Sequence, residues 1–399
     1  MSYTLCANVE WVGVVDWNIR DFHGYETDRG SSYNSYLICD EATALIDTVK
    51  ESFADTLLAN ISVLTDLAAV KFVICNHAEP DHAGSLPRVM AALPDAEVVC
   101  NVKCREALNR QFDTSRWRFK IVSSGEELSL GKSVLRFIDT PMVHWPESMF
   151  TFMPQERILF SMDAFGQHYA TSRRFDDENP EEIILEEARA YYANIVLPYS
   201  SIVTRLLGST SDLKPTLIAP SHGIIWRTHI DRIVQAYHDW SSHKPQPKVL
   251  IIYDTMWNST ELMARAIQAG AEISGVDARL IHLRRSSHSR IAAEVQDAAA
   301  VAFGSPTLNG TMMPMAGALL TYLKGLRPQG KVAFAFGSFG WGNGGPEEID
   351  EIMRKLKWDL TRPPLKAQFR PTAEILEECR REGRQLATRA LELTSGTKS

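Results

Sequence analysis

Residues 76–84 read Asn76-His77-Ala78-Glu79-Pro80-Asp81-His82-Ala83-Gly84, directly behind the apolar run Val70-Lys71-Phe72-Val73-Ile74-Cys75. Two imidazoles and two carboxylates stand at near-alternating positions within this short stretch. A strand that ends at Cys75 and opens into a loop stiffened by Pro80 would project all four side chains into one small space. That is the layout of a two-metal site. The ligand types narrow the choice of metal. Imidazole suits zinc, copper or iron, whereas carboxylates favour harder ions, can bridge two of them, and tolerate a change of oxidation state. A purely hydrolytic zinc site would more comfortably place a third imidazole where Glu79 stands. The competing reading is a polar surface loop whose acids and imidazoles pair with one another.

Working outward, the chain's 399 residues exceed what one core usually supports, so two domains are expected. A hydrophobic fraction of 45% and a net charge of −7 describe an ordinary globular protein. The acidic balance, with no dense Lys/Arg block, argues against nucleic acid as a partner. No apolar stretch is long enough to cross a membrane, and Met1-Ser2-Tyr3-Thr4 does not open a signal peptide. Six cysteines are scattered, with a single CxxxC pair at Cys100 and Cys104. This usage fits buried, unreactive thiols in a reducing cytoplasm and leaves no rubredoxin-type FeCys4 site.

The polar, proline-bearing segment 241–247 precedes the continuous apolar run Val249-Leu250-Ile251-Ile252-Tyr253, typical of a strand buried on both faces of a parallel sheet. A domain boundary is placed there, giving domains 1–243 and 248–399. The first mixes hairpins near 11–15 and 36–47 with strands near 72–75, 97–100, 134–138 and 158–161. Helical patterns run near 53–64, 105–111 and 180–206. Two sheets packed together under helices are expected. The second reads strand, loop, helix in succession. Strands are expected at 249–253, 278–282, 299–304, 332–337 and 365–369, with helices at 259–273, 315–325, 346–357 and 372–392. That order specifies an α/β, doubly wound parallel sheet whose ligand sits at the carboxyl ends of the strands.

Further candidate ligands recur in the first domain just past strands: His144 in Thr140-Pro141-Met142-Val143-His144-Trp145-Pro146, Asp163 after Ile158-Leu159-Phe160, and His222 in Ala219-Pro220-Ser221-His222-Gly223. Any one alone could be structural. Together with residues 77–82 they resemble the metallo-β-lactamase-like αββα domain of the flavodiiron proteins, in which Glu replaces the second His of the zinc hydrolases. Val15-Asp16-Trp17-Asn18-Ile19-Arg20 and His144-Trp145-Pro146 are similar to that family too, and the likeness runs from about Trp11 to the C-terminal helix. The resemblance implies one iron held by His77, Glu79 and His144 and a second held by Asp81, His82 and His222, with Asp163 bridging. It also implies that His82 is the ligand most readily displaced by water. His23 and Tyr191 resemble residues lining the family's substrate pocket, where each could donate a hydrogen bond or proton to bound oxygen.

In the second domain Asp254-Thr255-Met256-Trp257-Asn258-Ser259-Thr260 joins the first strand to the first helix. Hydroxyls at Thr255, Ser259 and Thr260, with free amides at the helix N-terminus, form a cradle for a phosphate dianion. The loop lacks GxGxxG spacing and the Gly-Lys-Ser/Thr of a P-loop, which points to a mononucleotide. Two further loops at strand ends, Ser305-Pro306-Thr307-Leu308-Asn309-Gly310 and Ser338-Phe339-Gly340-Trp341-Gly342-Asn343-Gly344-Gly345, let backbone approach a flat ring that Trp341 flanks. Together the three loops resemble the FMN site of flavodoxins.

The family resemblance implies a reductase of O2 to water, of NO to N2O, or of both. FMN and the iron pair would each store two electrons, four being needed for O2 and two for a pair of NO. It also implies a head-to-tail homodimer, or a dimer of such dimers, that brings the FMN of one subunit beside the irons of the other. The chain ends soon after the flavodoxin-like part, so the donor is expected to be external: rubredoxin or reduced deazaflavin F420. Two other classes compete. A zinc hydrolase of the same fold is disfavoured by Glu79, Asp163 and fusion to a redox module; a flavodoxin-like electron carrier would use its first domain only for docking.

Overall fold

A computed structural model describes residues 3–395. Two compact units divide these residues: 3–191 with Ser201–His238, and Tyr192–Ser200 with 239–395.

The first unit is built on two sheets. Seven strands lie in the order Tyr3–Cys6, Val9–Trp11, Tyr36–Ile38, Thr43–Ile46, Val70–Ile74, Glu97–Cys100 and Arg118–Ile121. Five more lie in the order Glu127–Ser129, Val134–Asp139, Met149–Met153, Ile158–Met162 and Leu217–Pro220. Alternate residues of both sheets meet in one core, with Ile38, Ile46, Ile74 and Val99 from the first facing Phe137, Met149 and Phe160 from the second. This is the period-2 patterning of strands with one face inward. Helices Ala54–Leu64, Leu86–Ala92 and Val102–Gln111 are the crossovers between the parallel strands of the larger sheet. The result is the αββα sandwich expected from the resemblance.

Two local readings change. The stretch 11–15 is not one hairpin: Val9–Trp11 pairs with Tyr36–Ile38, whereas Val14–Asp16 pairs with Ser31–Tyr33 in a separate ribbon. The helical stretch 180–206 is broken into Glu181–Tyr191, a π-helical turn Tyr192–Val196, a 3-10 turn Leu197–Tyr199 and a second helix Ser200–Thr210. Pro198 accounts for the interruption, because it has no amide hydrogen to continue the ladder. Strand Met149–Met153 is fully buried and has no alternation to reveal it.

The second unit is a parallel sheet ordered Asp277–His282, Gln246–Tyr253, Ala298–Gly304, Val332–Phe339, Asp359–Leu360, with Leu365–Gln368 also pairing with Val332–Phe339. The strand order 2-1-3-4-5 is that of flavodoxin-like doubly wound sheets, in which ligands sit at the switch point. Its first strand begins inside the polar segment 241–247, with a register irregularity between Gln246 and Val249 that accommodates Pro247. Helix His288–Asp297, capped by the Ser287 hydroxyl on the Arg290 amide, completes the alternation where no helix was expected.

Candidate metal and flavin sites

Local structure explains why the first ligands converge. Where the strand Val70–Ile74 ends, buried Asp47 accepts hydrogen bonds from the Asn76 amide and side chain, at 2.8 and 2.9 Å, and turns the chain. Pro80 then opens the short helix Pro80–Ala83, whose fixed φ suits the first helical position and sets Asp81 and His82 in one turn. His144 lies on the turn after Val134–Asp139, Asp163 follows Ile158–Met162, and His222 follows Leu217–Pro220. Every ligand therefore stands at, or just past, a strand's carboxyl end.

All seven side chains gather in one cluster. Potential ligand atoms of His77, Glu79, His144 and Asp163 lie within 4.8 Å of one another, as do those of Asp81, His82 and His222. Asp163 joins the two groups. Its Oδ2 is 3.3 Å from the Nε2 atoms of both His77 and His144, and its Oδ1 is 3.1 Å from His82 Nε2 and 3.5 Å from His222 Nε2. Glu79 Oε2 approaches His77 and His144 at 3.0 and 3.2 Å, and Asp81 Oδ2 approaches His222 and His82 at 3.0 and 3.2 Å.

The electrostatics suit cations. Burial alone would lower the imidazole pKa values, but the facing carboxylates outweigh it, raising His77 and His144 to about 10 and His82 to about 9. Burial pushes the Asp163 carboxyl up, yet the surrounding imidazoles hold it well below its ordinary value. Both oxygens of Asp81, Oδ2 of Asp163 and Nδ1 of His82 are buried without a hydrogen-bond partner. Buried polar atoms left so are expensive unless something else satisfies them. Mixed imidazole and carboxylate donors, with no thiolate among them, fit a pair of iron ions.

His23 and Tyr191 both reach the cluster. His23 Nε2 is 3.0 Å from Glu79 Oε1 on a half-exposed ring, and the buried Tyr191 hydroxyl donates to Asp163 Oδ1 at 2.8 Å. Two neighbours had no motif to announce them. Glu147 accepts from His77 Nδ1 at 2.8 Å and from the Ala78 amide at 3.1 Å, and it stands just past the His144-Trp145-Pro146 phrase. His168 bonds Ser31 Oγ through Nδ1 and the Tyr25 hydroxyl through Nε2, and packs on His222 and Tyr191. Burial, then the charge of His222, holds its pKa well below the ordinary imidazole value.

In the second unit a cleft of about 660 Å³ lies at the strand ends. Met256, Trp257 and Ser259 line it from the first loop, Pro306, Thr307, Asn309 and Gly310 from the second, and residues 338–342 from the third. Phe369 and Arg370 add a wall that was not expected. Thr255, Asn258, Thr260, Ser305, Leu308 and Gly344 do not line the cleft. Several of them support it: Thr260 and Ser338 share a hydroxyl hydrogen bond at 2.9 Å, and Ser305 Oγ accepts from the Met313 amide. The Thr255 hydroxyl is buried without a partner, and no side chain caps the helix Ser259–Ala271. A phosphate would satisfy both. Trp257 and Trp341, 89% and 95% exposed, stand beside the cleft as free indole faces.

Residues 32–223 match the ODP family beta lactamase profile and residues 251–383 the flavodoxin profile. The chain is 43% identical to a nitric oxide reductase of Moorella thermoacetica, across 96% of this chain and 97% of that one. This chain belongs to the flavodiiron proteins. The crystal structure of the flavodiiron protein from Giardia intestinalis matches with a TM-score of 0.97 at 39% identity, covering 100% of this chain and 99% of that one. Rubredoxin oxygen:oxidoreductase from Desulfovibrio gigas matches with a TM-score of 0.96 at 36% identity, covering 98% and 99%. As a flavodiiron protein the chain is an oxidoreductase whose cofactors are FMN and two iron ions. Among the described residues, no helix is long and apolar enough to cross a membrane.

Proposed function

We propose that this flavodiiron protein reduces O2 to water, NO to N2O, or both, drawing electrons through FMN from an external donor, rubredoxin or reduced F420. The observation that carries this reading is Asp163, whose two oxygens each face a separate group of ligands. When bound, the iron pair supplies the redox-active place where the gas binds and FMN the electrons that restore it.

The side chains supply geometry, protons and shelter. His77, Glu79 and His144 would hold one ion, Asp81, His82 and His222 the other, and Asp163 both. Burial, reinforced by the Asp163 charge, keeps the Tyr191 phenol protonated, so it holds a proton on the bridging carboxylate's edge. His23 is the half-exposed member of the cluster and serves as the donor nearest solvent. Trp145 packs edge-on against His77 and His144, and Phe22 edge-on against His222, which limits water at those rings. The exposed indoles of Trp257 and Trp341 suit burial against a second copy, in a head-to-tail dimer that pairs the flavin of one subunit with the irons of the other. All six cysteines are free thiols, consistent with a reducing cytoplasm.

The test is anaerobic reduction of protein loaded with iron and FMN, then O2 and NO consumption followed in parallel at electrodes. Consumption of either gas supports the proposal. Two zinc ions per chain with neither gas consumed would overturn it. Ultracentrifugation with stopped-flow flavin oxidation tests the dimer, since a monomer retaining full electron flow would contradict it.

A further inference from the structure

The two groups of ligands are not equivalent beyond their first contacts. On one side His77 Nδ1 donates to the buried carboxylate of Glu147 at 2.8 Å, while Nε2 faces the metal cluster. Glu147 is fixed there by the Ala78 amide on its Oε1 and by the Asn101 side chain on its backbone oxygen. On the other side His222 Nδ1 donates only to the neutral Ser32 carbonyl at 2.7 Å, and His82 Nδ1 has no partner. The bridging carboxylate is unequal in the same sense. Asp163 Oδ1, facing His82 and His222, accepts from the Tyr191 hydroxyl, whereas Oδ2, facing His77 and His144, accepts no hydrogen bond. Asp47, another buried carboxylate nearby, spends both oxygens on Asn76 and hydrogen-bonds no imidazole.

An imidazole that donates to a carboxylate is a stronger electron donor through its other nitrogen. A carboxylate oxygen that accepts a phenolic hydrogen bond is a weaker one. Both effects place more negative charge on the His77 side. We propose that Glu147 and Tyr191 act together as positioning residues that polarise the iron pair, so that the first electron settles on the His82 side and the His77 side keeps the higher charge.

The proposal rests on the two-iron assignment and is tested by potentials rather than turnover. Iron- and FMN-loaded protein is titrated anaerobically with dithionite, and the half-reduced iron pair is followed by electron paramagnetic resonance. Glu147→Gln keeps an acceptor for His77 and Ala78 but removes the charge; it should shift the second iron couple upward and leave the first nearly unmoved. Tyr191→Phe should shift the first couple downward and leave the second. Each variant therefore narrows the gap between couples, and the half-reduced signal reaches a lower maximum. Glu147→Asp, which restores the charge, should recover much of the gap lost in Glu147→Gln. The FMN couples serve as the internal control for folding and should stay put. An unchanged gap in both variants, or iron couples that move together, overturns the proposal while leaving the iron pair intact. Absence of any half-reduced two-iron signal in the unaltered protein would instead overturn the assignment beneath it.

Discussion

The metal cluster and the flavin cleft solve opposite problems. The first gathers four imidazoles and three carboxylates where water is nearly excluded, so its specificity resides in side-chain chemistry, and each group depends on its neighbours for charge balance. The second is an open cleft at the ends of a parallel sheet, lined mostly by residues of three glycine- and hydroxyl-bearing loops, two of them exposed indoles. Its specificity resides in where the main chain can go. Damage to one site should therefore act through lost ligands, and damage to the other through displaced backbone.

The largest expected effect separates them cleanly. Asp163→Ala removes the carboxylate common to both groups, and metal analysis should find less than one ion per chain, with gas reduction down at least about 100-fold. FMN content should be unchanged. A pair of glycine substitutions sharpens the contrast. A Cβ at Gly344 would lie 2.0 Å from the Gly310 carbonyl oxygen, and one at Gly223, φ +78°, 2.4 Å from the Gln167 carbonyl oxygen. Backbone at those distances must move, so each alanine variant should lose about 1–3 kcal/mol of stability in thermal unfolding. Gly344→Ala should lose flavin and keep iron. Gly223→Ala, next to His222, should do the reverse.

Acidity distinguishes the sites as well. In metal-free protein the raised values of His77, His82 and His144 mean that protons occupy these imidazoles at neutral pH and must leave when a metal binds. Metal affinity should therefore rise with pH, by about tenfold or more per unit from pH 6 to 9, and level off only near 10. Competition titrations with a chelator would measure it, and a flat profile would show that the imidazoles are already neutral. Two smaller effects belong to the flavin cleft. Thr255→Val removes the unpartnered hydroxyl and should weaken FMN binding about 10-fold. Trp341→Ala should cost about 3- to 10-fold, the scale of one aromatic contact. Flavin fluorescence reads both.

The same contrast governs what was legible in the sequence. His77, Glu79, Asp81 and His82 stood out because metal-binding side chains seldom crowd six positions, and His144, Asp163 and His222 because each follows an apolar strand. The parallel sheet of the second unit was legible from its uniformly apolar strands, such as Ala298–Gly304. Glu147 and His168 were not, since a supporting carboxylate or imidazole carries no spacing rule and only the fold brings it to its partner. Phe369 and Arg370 were missed for a related reason: they reach the cleft from the end of a late strand, outside the three glycine- and hydroxyl-bearing loops. The break at Pro198 shows a local rule overriding an otherwise helical pattern.

The central claim is that seven side chains hold two ions, one on either side of Asp163. Anomalous diffraction at the iron edge, from crystals of protein loaded anaerobically with ferrous iron and FMN, tests it most directly. Two peaks of comparable height flanking the Asp163 carboxylate are expected; a single peak, or none within reach of His82 and His222, would contradict it.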